Sequence, residues 1–244
     1  EEFAIECSMI KVGTSEDIQN CADDGIQIFG GMGFSADTPM ESAWRDARIG
    51  RIYEGTNEIN RMLSVGMLFK KSMRGELDLM KAVMDVTSKM SSEKSNENID
   101  SGLILSLERQ KIKNLKKIFL MISGSAFQKY GQELDKNQQV LIGLSNIMIE
   151  IYFSESAILR TLKNNKKGAD TKCQIDMTSI YVFEATEIVI KSSKELIANI
   201  SKGNEQLNLM KSVHRLCRYD QIPDIITLKN RVADRVIVEN QYCF

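Results

Sequence analysis

A single carboxylate, Glu54, stands in a short link between two predicted helices, within the segment Ile52-Tyr53-Glu54-Gly55-Thr56. Thr56 is a residue type that caps helix N-termini, so Glu54 is expected just outside a helix start. A carboxylate held in such a link could act as a general base. The exposed amides and the dipole of a helix also stabilise any acidic side chain at this place. The residue types alone therefore leave a catalytic and a structural role open.

Three glycines, Gly30, Gly31 and Gly33, follow a predicted helix over residues 2 to 29. Glycine adopts the positive φ angles that end a helix, and its missing side chain lets the backbone approach a ligand closely. A glycine turn of this kind is more often only a helix stop. It is not the dinucleotide fingerprint, because no strand precedes it and the Gly-x-Gly-x-x-Gly spacing is missing.

Two helix starts are predicted around this link. Thr38 is the expected N-cap of the first helix, with Pro39 at its first position and Glu41 placed to close a capping box, and the helix should end near Ala47. Thr56 is the expected N-cap of the second helix. The predicted apolar face of the second helix comprises Ile59, Met62, Leu63 and Met67.

Beyond residue 70, where we place a domain boundary, the apolar period predicts long helices. Their marker residues are Leu103, Leu107, Leu115, Ile118 and Ile122 in the first, Leu144, Ile147, Ile151, Ile158 and Leu162 in the second, and Val182, Ala185, Val189, Leu196 and Ile200 in the third. Thr227 is expected to cap a final helix, and the polar segment 91–100 is predicted to be a poorly ordered loop. The predicted fold is all-α, in which residues 1–70 form part of one helical bundle and residues 71–244 form a second, antiparallel bundle.

Composition excludes several classes of protein. The chain of 244 residues is 43% apolar and 27% charged with a formal net charge of −1, which gives no reason to expect nucleic acid binding. Five widely spaced cysteines and one histidine offer few metal ligands, so no metal site is expected and a reduced compartment fits best. No apolar run reaches the ~20 residues of a membrane-spanning helix, and no secretory signal is expected.

The segment Gln27-Ile28-Phe29-Gly30-Gly31-Met32-Gly33-Phe34, read together with Arg45-Asp46-Ala47-Arg48 and with residues 52–59, resembles the C-terminal helical domain of flavin-dependent acyl-CoA dehydrogenases. The resemblance covers about residues 1–70. It implies that Glu54 removes the pro-R α-proton of a fatty acyl-CoA while the β-hydrogen passes as hydride to N5 of FAD, giving the trans-2-enoyl-CoA of fatty acid β-oxidation. It further implies that the Glu54 backbone N–H, with a flavin ribityl hydroxyl, polarises the thioester carbonyl.

The same resemblance implies the remaining site residues. Tyr53 and Gly55 would line the acyl site. FAD would be bound by two groups of residues, Thr56, Asn57 and Glu58 in one subunit and Gln27, Ile28, Phe29, Gly30 and Gly31 in a neighbouring subunit. Several family members carry Gln where this chain has Glu58. Some branches of the family keep the base on another helix, and the presence of Glu54 argues against those branches.

Residues 71–244 resemble, in position and helical content, the additional helical domain of the very-long-chain branch and its bacterial relatives. A cluster of cations in this region could touch an anionic membrane surface or form a solvated helix face, and it comprises Arg109, Lys111, Lys113, Lys116 and Lys117. His214 is expected at a surface or interface.

The family's N-terminal helical and middle β domains have no counterpart here, and the chain begins with Glu rather than Met. We therefore expect a piece of a longer enzyme, inactive and colourless by itself. The expected partners of the parent are a fatty acyl-CoA, an electron-transfer flavoprotein or similar acceptor, and further copies in a homodimer or higher oligomer. A bacterial cytoplasm, with possible contact to the inner membrane, or a mitochondrial matrix fits the family. A non-catalytic helical module for oligomerisation or docking is the alternative, and flavin binding would distinguish the two.

Overall fold

The structure, a computed structural model, describes residues 2–90 and 102–243. All regular elements in these ranges are helical, which confirms the all-α prediction. The α-helices are α1 (Ala4–Phe29), α2 (Gly31–Phe34), α3 (Pro39–Ile49), α4 (Asn57–Met73), α5 (Leu79–Met90), α6 (Ser106–Tyr130), α7 (Gln138–Lys166), α8 (Lys172–Ile200), α9 (Gly203–Cys217) and α10 (Ile225–Glu239), and a 3-10 helix spans Gly131–Lys136. The predicted loop 91–100 lies outside the described residues.

The chain divides into two compact units. The first comprises Glu1–Leu77 with Asp135–Ser145, and the second comprises Asp78–Leu134 with Asn146–Phe244. Helix α7 therefore contributes its first turns to the first unit and the rest of its length to the second. The domain boundary that we placed at residue 70 stays a prediction.

In the first unit, α1 packs against α3 and α4. The predicted apolar positions Ile5, Met9 and Val12 of α1 are all buried. The helix ends where the glycines predict, because Gly30 has a φ of 60°. Gly33 is needed for another reason, since a Cβ at this position would lie 2.7 Å from the carbonyl oxygen of Ile26.

The helix starts around the link differ in part from the predictions. Thr56 caps α4 as predicted, because its hydroxyl accepts the backbone N–H of Ile59 at 3.3 Å. Thr38 is the N-cap residue of α3 and Pro39 its first helical residue, as predicted, but the Thr38 side chain makes no capping hydrogen bond. The Thr38 hydroxyl instead donates to the carbonyl of Met32 at 2.7 Å, since the short helix α2 presents that carbonyl to it.

The prediction that Ile59, Met62, Leu63 and Met67 form the buried face of α4 is wrong. Ile59 and Leu63 remain 52% and 45% exposed. The buried residues of α4 are Asn57, Asn60, Ser64, Val65 and Phe69. Polar side chains can be buried when each finds a hydrogen-bond partner, and the partners of Asn57 lie on α1.

The second unit contains the long helices that the apolar period predicts. Helix α6 packs against α5, α8 and α9, and α8 also packs against α9 and α10. The predicted marker residues of the long helices with no more than 1% exposure are Leu115, Ile118, Ile122, Leu144, Ile147, Val182, Ala185 and Val189, of which Leu144 lies in the part of α7 that belongs to the first unit. Leu103 is a correction, because it is exposed and precedes the start of α6. Helices α5 and α9 are additional to those that we predicted.

The cap of α10 is also a correction. The side chain of Asp224, not that of Thr227, caps this helix by accepting the backbone N–H of Thr227 at 3.1 Å. The Thr227 hydroxyl donates to the other carboxylate oxygen at 2.7 Å. Asp224 precedes the first helical residue, so its carboxylate reaches the free amides that Thr227 cannot reach from inside the first turn.

Among the described helices, α7 alone has the length and apolar composition to cross a membrane, whereas we expected no such helix. Of its most apolar window, 44% is buried within the protein. The core helix of a soluble protein meets the same description, so length and composition do not establish a span.

Candidate functional site

The turn that carries Glu54 has an unusual backbone. Glu54 has a φ of 55° and Gly55 a φ of 82°, so two consecutive residues adopt the left-handed region. Such a conformation is unfavourable for a residue with a side chain and persists only where the surrounding structure holds it. The turn lies between α3 and α4, and the side chain of Glu54 is exposed. The carboxylate that the sequence singles out is therefore displayed on a constrained turn.

Two side chains from different helices bind the turn at one atom. The carbonyl oxygen of Gly55 accepts hydrogen bonds from Lys11 Nζ and from Asn60 Nδ2, each at 2.8 Å. Asn60 Nδ2 also donates to the carbonyl of Thr56 at 3.2 Å. The backbone N–H of Asn57 donates to the carbonyl of Arg51 at 3.1 Å, closing the turn.

A buried polar network lies beneath the turn. Asn57 is fully buried, and its Oδ1 accepts a hydrogen bond from Lys11 Nζ at 2.7 Å. Its Nδ2 donates to Ser15 Oγ at 2.9 Å and to Glu16 Oε1 at 3.1 Å. Arg61 donates to both oxygens of Glu16, at 2.8 and 2.7 Å. The start of α4 is thus fastened to one face of α1.

Electrostatics in this network favour an ionised Glu16. Burial acts to raise the pKa of this carboxyl, but the hydrogen bonds and charge of Arg61, helped by Asn57 and Arg51, outweigh burial and hold the pKa below its ordinary value. The pKa of Glu58 is also lowered, first by a hydrogen bond from its own backbone N–H and then by one from the Thr56 side chain. Both carboxylates carry their negative charge at neutral pH.

The structure brings part of the predicted site together. Tyr53, Glu54, Gly55 and Glu58 are exposed on or beside one turn, and Thr56 is half-buried. Asn57 lies below the turn, with its side-chain amide engaged inside the chain. The assignment of Asn57 as an FAD contact stays a prediction, as do the catalytic role of Glu54 and the roles of its neighbours.

The other predicted FAD segment lies at the end of α1. All of its residues are exposed, namely Gln27, Ile28, Phe29, Gly30 and Gly31. Ile28 is 83% exposed. At Gly30 and Gly31, an added Cβ would meet no atom within 4 Å, so the backbone there is open to a ligand. Contact of this segment with FAD in a neighbouring subunit stays a prediction.

Sequence reasoning missed the residues that hold the turn, which are Lys11, Ser15, Glu16, Asn60 and Arg61. A signal was present, because three of them place polar groups on a face of α1 that also carries the buried Ser8 and Val12. Their partners lie more than 40 residues away along the chain. Sequence spacing therefore could not pair them.

The prediction that Lys111 lies with the other cations of α6 on an exposed face is wrong. Its side chain is only 3% exposed, and Nζ donates to the backbone carbonyls of Cys217, at 3.0 Å, and of Arg218. Lys116 is paired with Glu155 at 2.6 Å. Lys111 therefore belongs neither to a membrane-facing nor to a solvated cationic stripe, because it points into the second unit.

A cavity of about 1040 Å³ lies within the second unit, between α5, α6 and α9. Its lining includes Met80, Met121 and Phe127 and, among the charged residues, Lys211 and Arg215. None of the predicted catalytic or cofactor residues lines it. In the described part of the chain, no three His, Cys, Asp or Glu residues are grouped as metal ligands would be.

Comparison with known proteins identifies the family. Two family models, both described as the C-terminal domain of acyl-CoA dehydrogenase, match residues 1–67 and 114–215. A probable acyl-CoA dehydrogenase from Bacillus subtilis is 36% identical over 240 residues, which cover 98% of this chain and 40% of the relative. The human mitochondrial short-chain specific acyl-CoA dehydrogenase is 44% identical over 68 residues, 28% of this chain and 16% of that protein.

A solved structure agrees with these matches. The crystal structure of an acyl-CoA dehydrogenase complexed with FAD from Bacillus anthracis superposes with a TM-score of 0.94 at 34% identity, covering 98% of this chain and 41% of that one. The chain belongs to the acyl-CoA dehydrogenase family and carries its C-terminal domains. It spans about two fifths of the length of the relatives that it matches from end to end.

Proposed function

We propose that the protein containing this chain is an FAD-dependent acyl-CoA dehydrogenase in which Glu54 is the general base. The observation that carries the proposal is the left-handed turn at Glu54, a carboxylate displayed on a backbone that Lys11 and Asn60 hold in an unfavourable conformation. Strain of this kind is concentrated at functional sites. The matching relatives are named acyl-CoA dehydrogenases, which supports the enzyme class of this proposal.

In the proposed reaction, the Glu54 carboxylate takes the α-proton of a fatty acyl-CoA thioester as the trans-2-enoyl-CoA forms. The backbone N–H of Glu54 donates to the thioester carbonyl and stabilises the charge that develops there. FAD, when bound, accepts the β-hydrogen as hydride. Tyr53 and Gly55 line the acyl chain.

The residues present fit a flavin cofactor. The open backbone at Gly30 and Gly31 leaves room for close approach of a ligand. In this proposal Gln27 to Gly31 of one subunit and Thr56 to Glu58 of another hold FAD, which requires a homodimer or a larger homo-oligomer. The relative from Bacillus anthracis is described as complexed with FAD, which supports this choice of cofactor.

This chain alone is proposed to hold the base and part of the flavin site without activity. It spans 40% of its Bacillus subtilis relative, so most of an enclosing pocket would have to come from other parts of the parent protein. For the parent, we propose an electron-transfer flavoprotein or a similar acceptor and a bacterial cytoplasmic location. Purified chain should be colourless, and a stoichiometric yellow complex would contradict this.

The test of Glu54 is Glu54→Gln in the full-length protein, because the amide keeps the size and the backbone N–H but cannot accept the proton. We expect anaerobic flavin reduction by acyl-CoA to slow by about 10²- to 10⁴-fold with FAD content unchanged. Glu41→Gln is the matched control, since Glu41 is a half-buried carboxylate on α3 that pairs with the exposed Arg45 at 3.5 Å. A Glu54→Gln rate within about threefold of wild type, well short of the general-base range, would reduce Glu54 to a helix-end carboxylate.

A further inference from the structure

The carbonyl of Gly55 is the point at which α1 and α4 hold the Glu54 turn. We propose that Lys11 and Asn60 are positioning residues that fix this carbonyl and thereby aim the Glu54 carboxylate. The two donors come from different helices and reach the same oxygen at 2.8 Å each. The inference rests on the proposed function of Glu54 as the base.

The backbone of the turn explains why two donors are needed. Glu54 and Gly55 have φ angles of 55° and 82°, and a residue with a side chain leaves the left-handed region unless other contacts hold it there. Hydrogen bonds to the Gly55 carbonyl fix the orientation of the peptide plane that follows these two residues. Loss of either donor allows the turn to relax and the carboxylate to move.

The packing around Asn60 supports its role in fixing the turn. Asn60 is buried, and a Cβ at Gly55 would lie 2.9 Å from its Nδ2. A side chain at position 55 would force this amide to shift and would adopt an unfavourable φ of 82°, so the turn and Asn60 form one packed unit. The same amide donates to the Thr56 carbonyl, which places it across the base of the turn.

The contribution of Lys11 is a charge-assisted one. Its ammonium donates both to the Gly55 carbonyl and, at 2.7 Å, to Oδ1 of the fully buried Asn57. Hydrogen bonds from a charged donor are stronger than those between neutral groups. Lys71 offers a contrast, because its ammonium donates to the exposed carbonyl of Glu2 at 3.0 Å, away from the turn.

A purely structural role for these residues makes a different prediction from a positioning role. If Lys11 only fastened α1 to α4, its loss would lower stability and FAD content together and leave the rate per bound flavin unchanged. If it positions Glu54, the limiting rate of flavin reduction falls while FAD content and the half-saturating acyl-CoA concentration stay the same.

The experiment uses the full-length, FAD-loaded protein and anaerobic stopped-flow reduction by a saturating acyl-CoA. Lys11→Met keeps the aliphatic stem and removes the donor, and Asn60→Leu keeps the size and removes the amide. Because displacement of a reacting group by about 1 Å costs on the order of 10²-fold, we expect losses of roughly 10- to 100-fold in each variant. Lys11→Arg, which retains a charged donor, should recover most of the rate, and Lys71→Met should match wild type.

Two further measurements separate this inference from the function on which it rests. Added to Glu54→Gln, Lys11→Met should cause no further loss, because both changes act through the same carboxylate. Hydrogen exchange of the turn amides should accelerate in Lys11→Met and Asn60→Leu, whatever the chemical role of Glu54.

The outcomes are distinct. Normal flavin reduction in both Lys11→Met and Asn60→Leu, alongside a large loss in Glu54→Gln, overturns the positioning role and leaves the base assignment intact. Unchanged reduction in Glu54→Gln overturns the base and the positioning role together. If Lys11→Met loses FAD, the test falls to Asn60→Leu and Lys11→Arg. A rate of reduction per bound flavin in Asn60→Leu equal to that of wild type then overturns the inference.

Discussion

The ammonium of Lys111 lies 3.8 Å from the centroid of the Tyr219 ring, at the C-terminal end of α9. In this position it also donates to the carbonyl of Cys217, in the last turn of α9, where helix carbonyls lack intrahelical donors, and to that of Arg218, the residue after the helix. The negative end of the helix dipole and the face of the ring both favour a cation. Burial opposes these effects and lowers the pKa of Lys111. Lys111 thus closes a helix end inside the second unit.

We predict that Lys111→Met destabilises the second unit. The methionine fills similar space but removes the donor to the buried carbonyl of Cys217 and to the carbonyl of Arg218, and an unsatisfied buried group costs about 1–3 kcal/mol. Lys113→Met is the matched control on the same helix, where the side chain is exposed and the change should stay within about 0.5 kcal/mol. Urea unfolding monitored by circular dichroism measures both. Equal midpoints for the two variants would show that the buried contacts contribute nothing.

Glu16 predicts an acid sensitivity in the first unit. Its pKa is lowered in the folded state, so the unfolded chain binds a proton at a higher pH than the native protein does. The stability that Glu16 contributes is therefore fully present above its ordinary value of 4.5 and is lost as the pH falls through the lowered folded value. Unfolding free energies measured between neutral pH and pH 3 should fall less steeply in Glu16→Gln than in wild type.

The unfolding free energies of wild type and Glu16→Gln at pH 7 are the control for this experiment. Glu16→Gln leaves the guanidinium of Arg61 without its bidentate partner, so the variant should be less stable than wild type at pH 7. The two curves should then converge in acid. Parallel curves over the whole range would mean that the Glu16 carboxylate titrates alike in the folded and unfolded states.

We predict that substitutions at Gly124 and Val83, where α6 packs on α5, are coupled in their effects on the free energy of unfolding. A Cβ at Gly124 would collide with Cγ1 of Val83. Alanine is better than glycine by about 1 kcal/mol inside a helix, but overpacking typically costs about 1–3 kcal/mol, so Gly124→Ala should be neutral or destabilising in the wild-type background. In a Val83→Ala background the collision disappears, and Gly124→Ala should stabilise the protein. A double-mutant cycle of unfolding free energies measures the coupling, and strict additivity would contradict it.

The long helices were predictable because their signal is local. The periodic residues Leu115, Ile118 and Ile122 mark one face of α6, and that face is buried. Burial of such an apolar stripe is favourable against any neighbouring element with an apolar surface. The stripe can therefore be predicted without knowing which helix covers it. The Thr56 cap and the helix stop at Gly30 were predictable for the same reason, since each depends on residues within one turn.

The sequence by itself also marked Glu54, through its neighbours and its family resemblance. The tertiary structure alone decided what holds that residue. Asn57 and Asn60 are buried on a face of α4 that periodicity assigns to solvent, while Ile59 remains exposed. A buried amide is favourable only when specific partners satisfy it, and Lys11 lies 46 residues before Asn57. Pairing polar groups over such distances depends on how α1 and α4 pack, which no local pattern encodes.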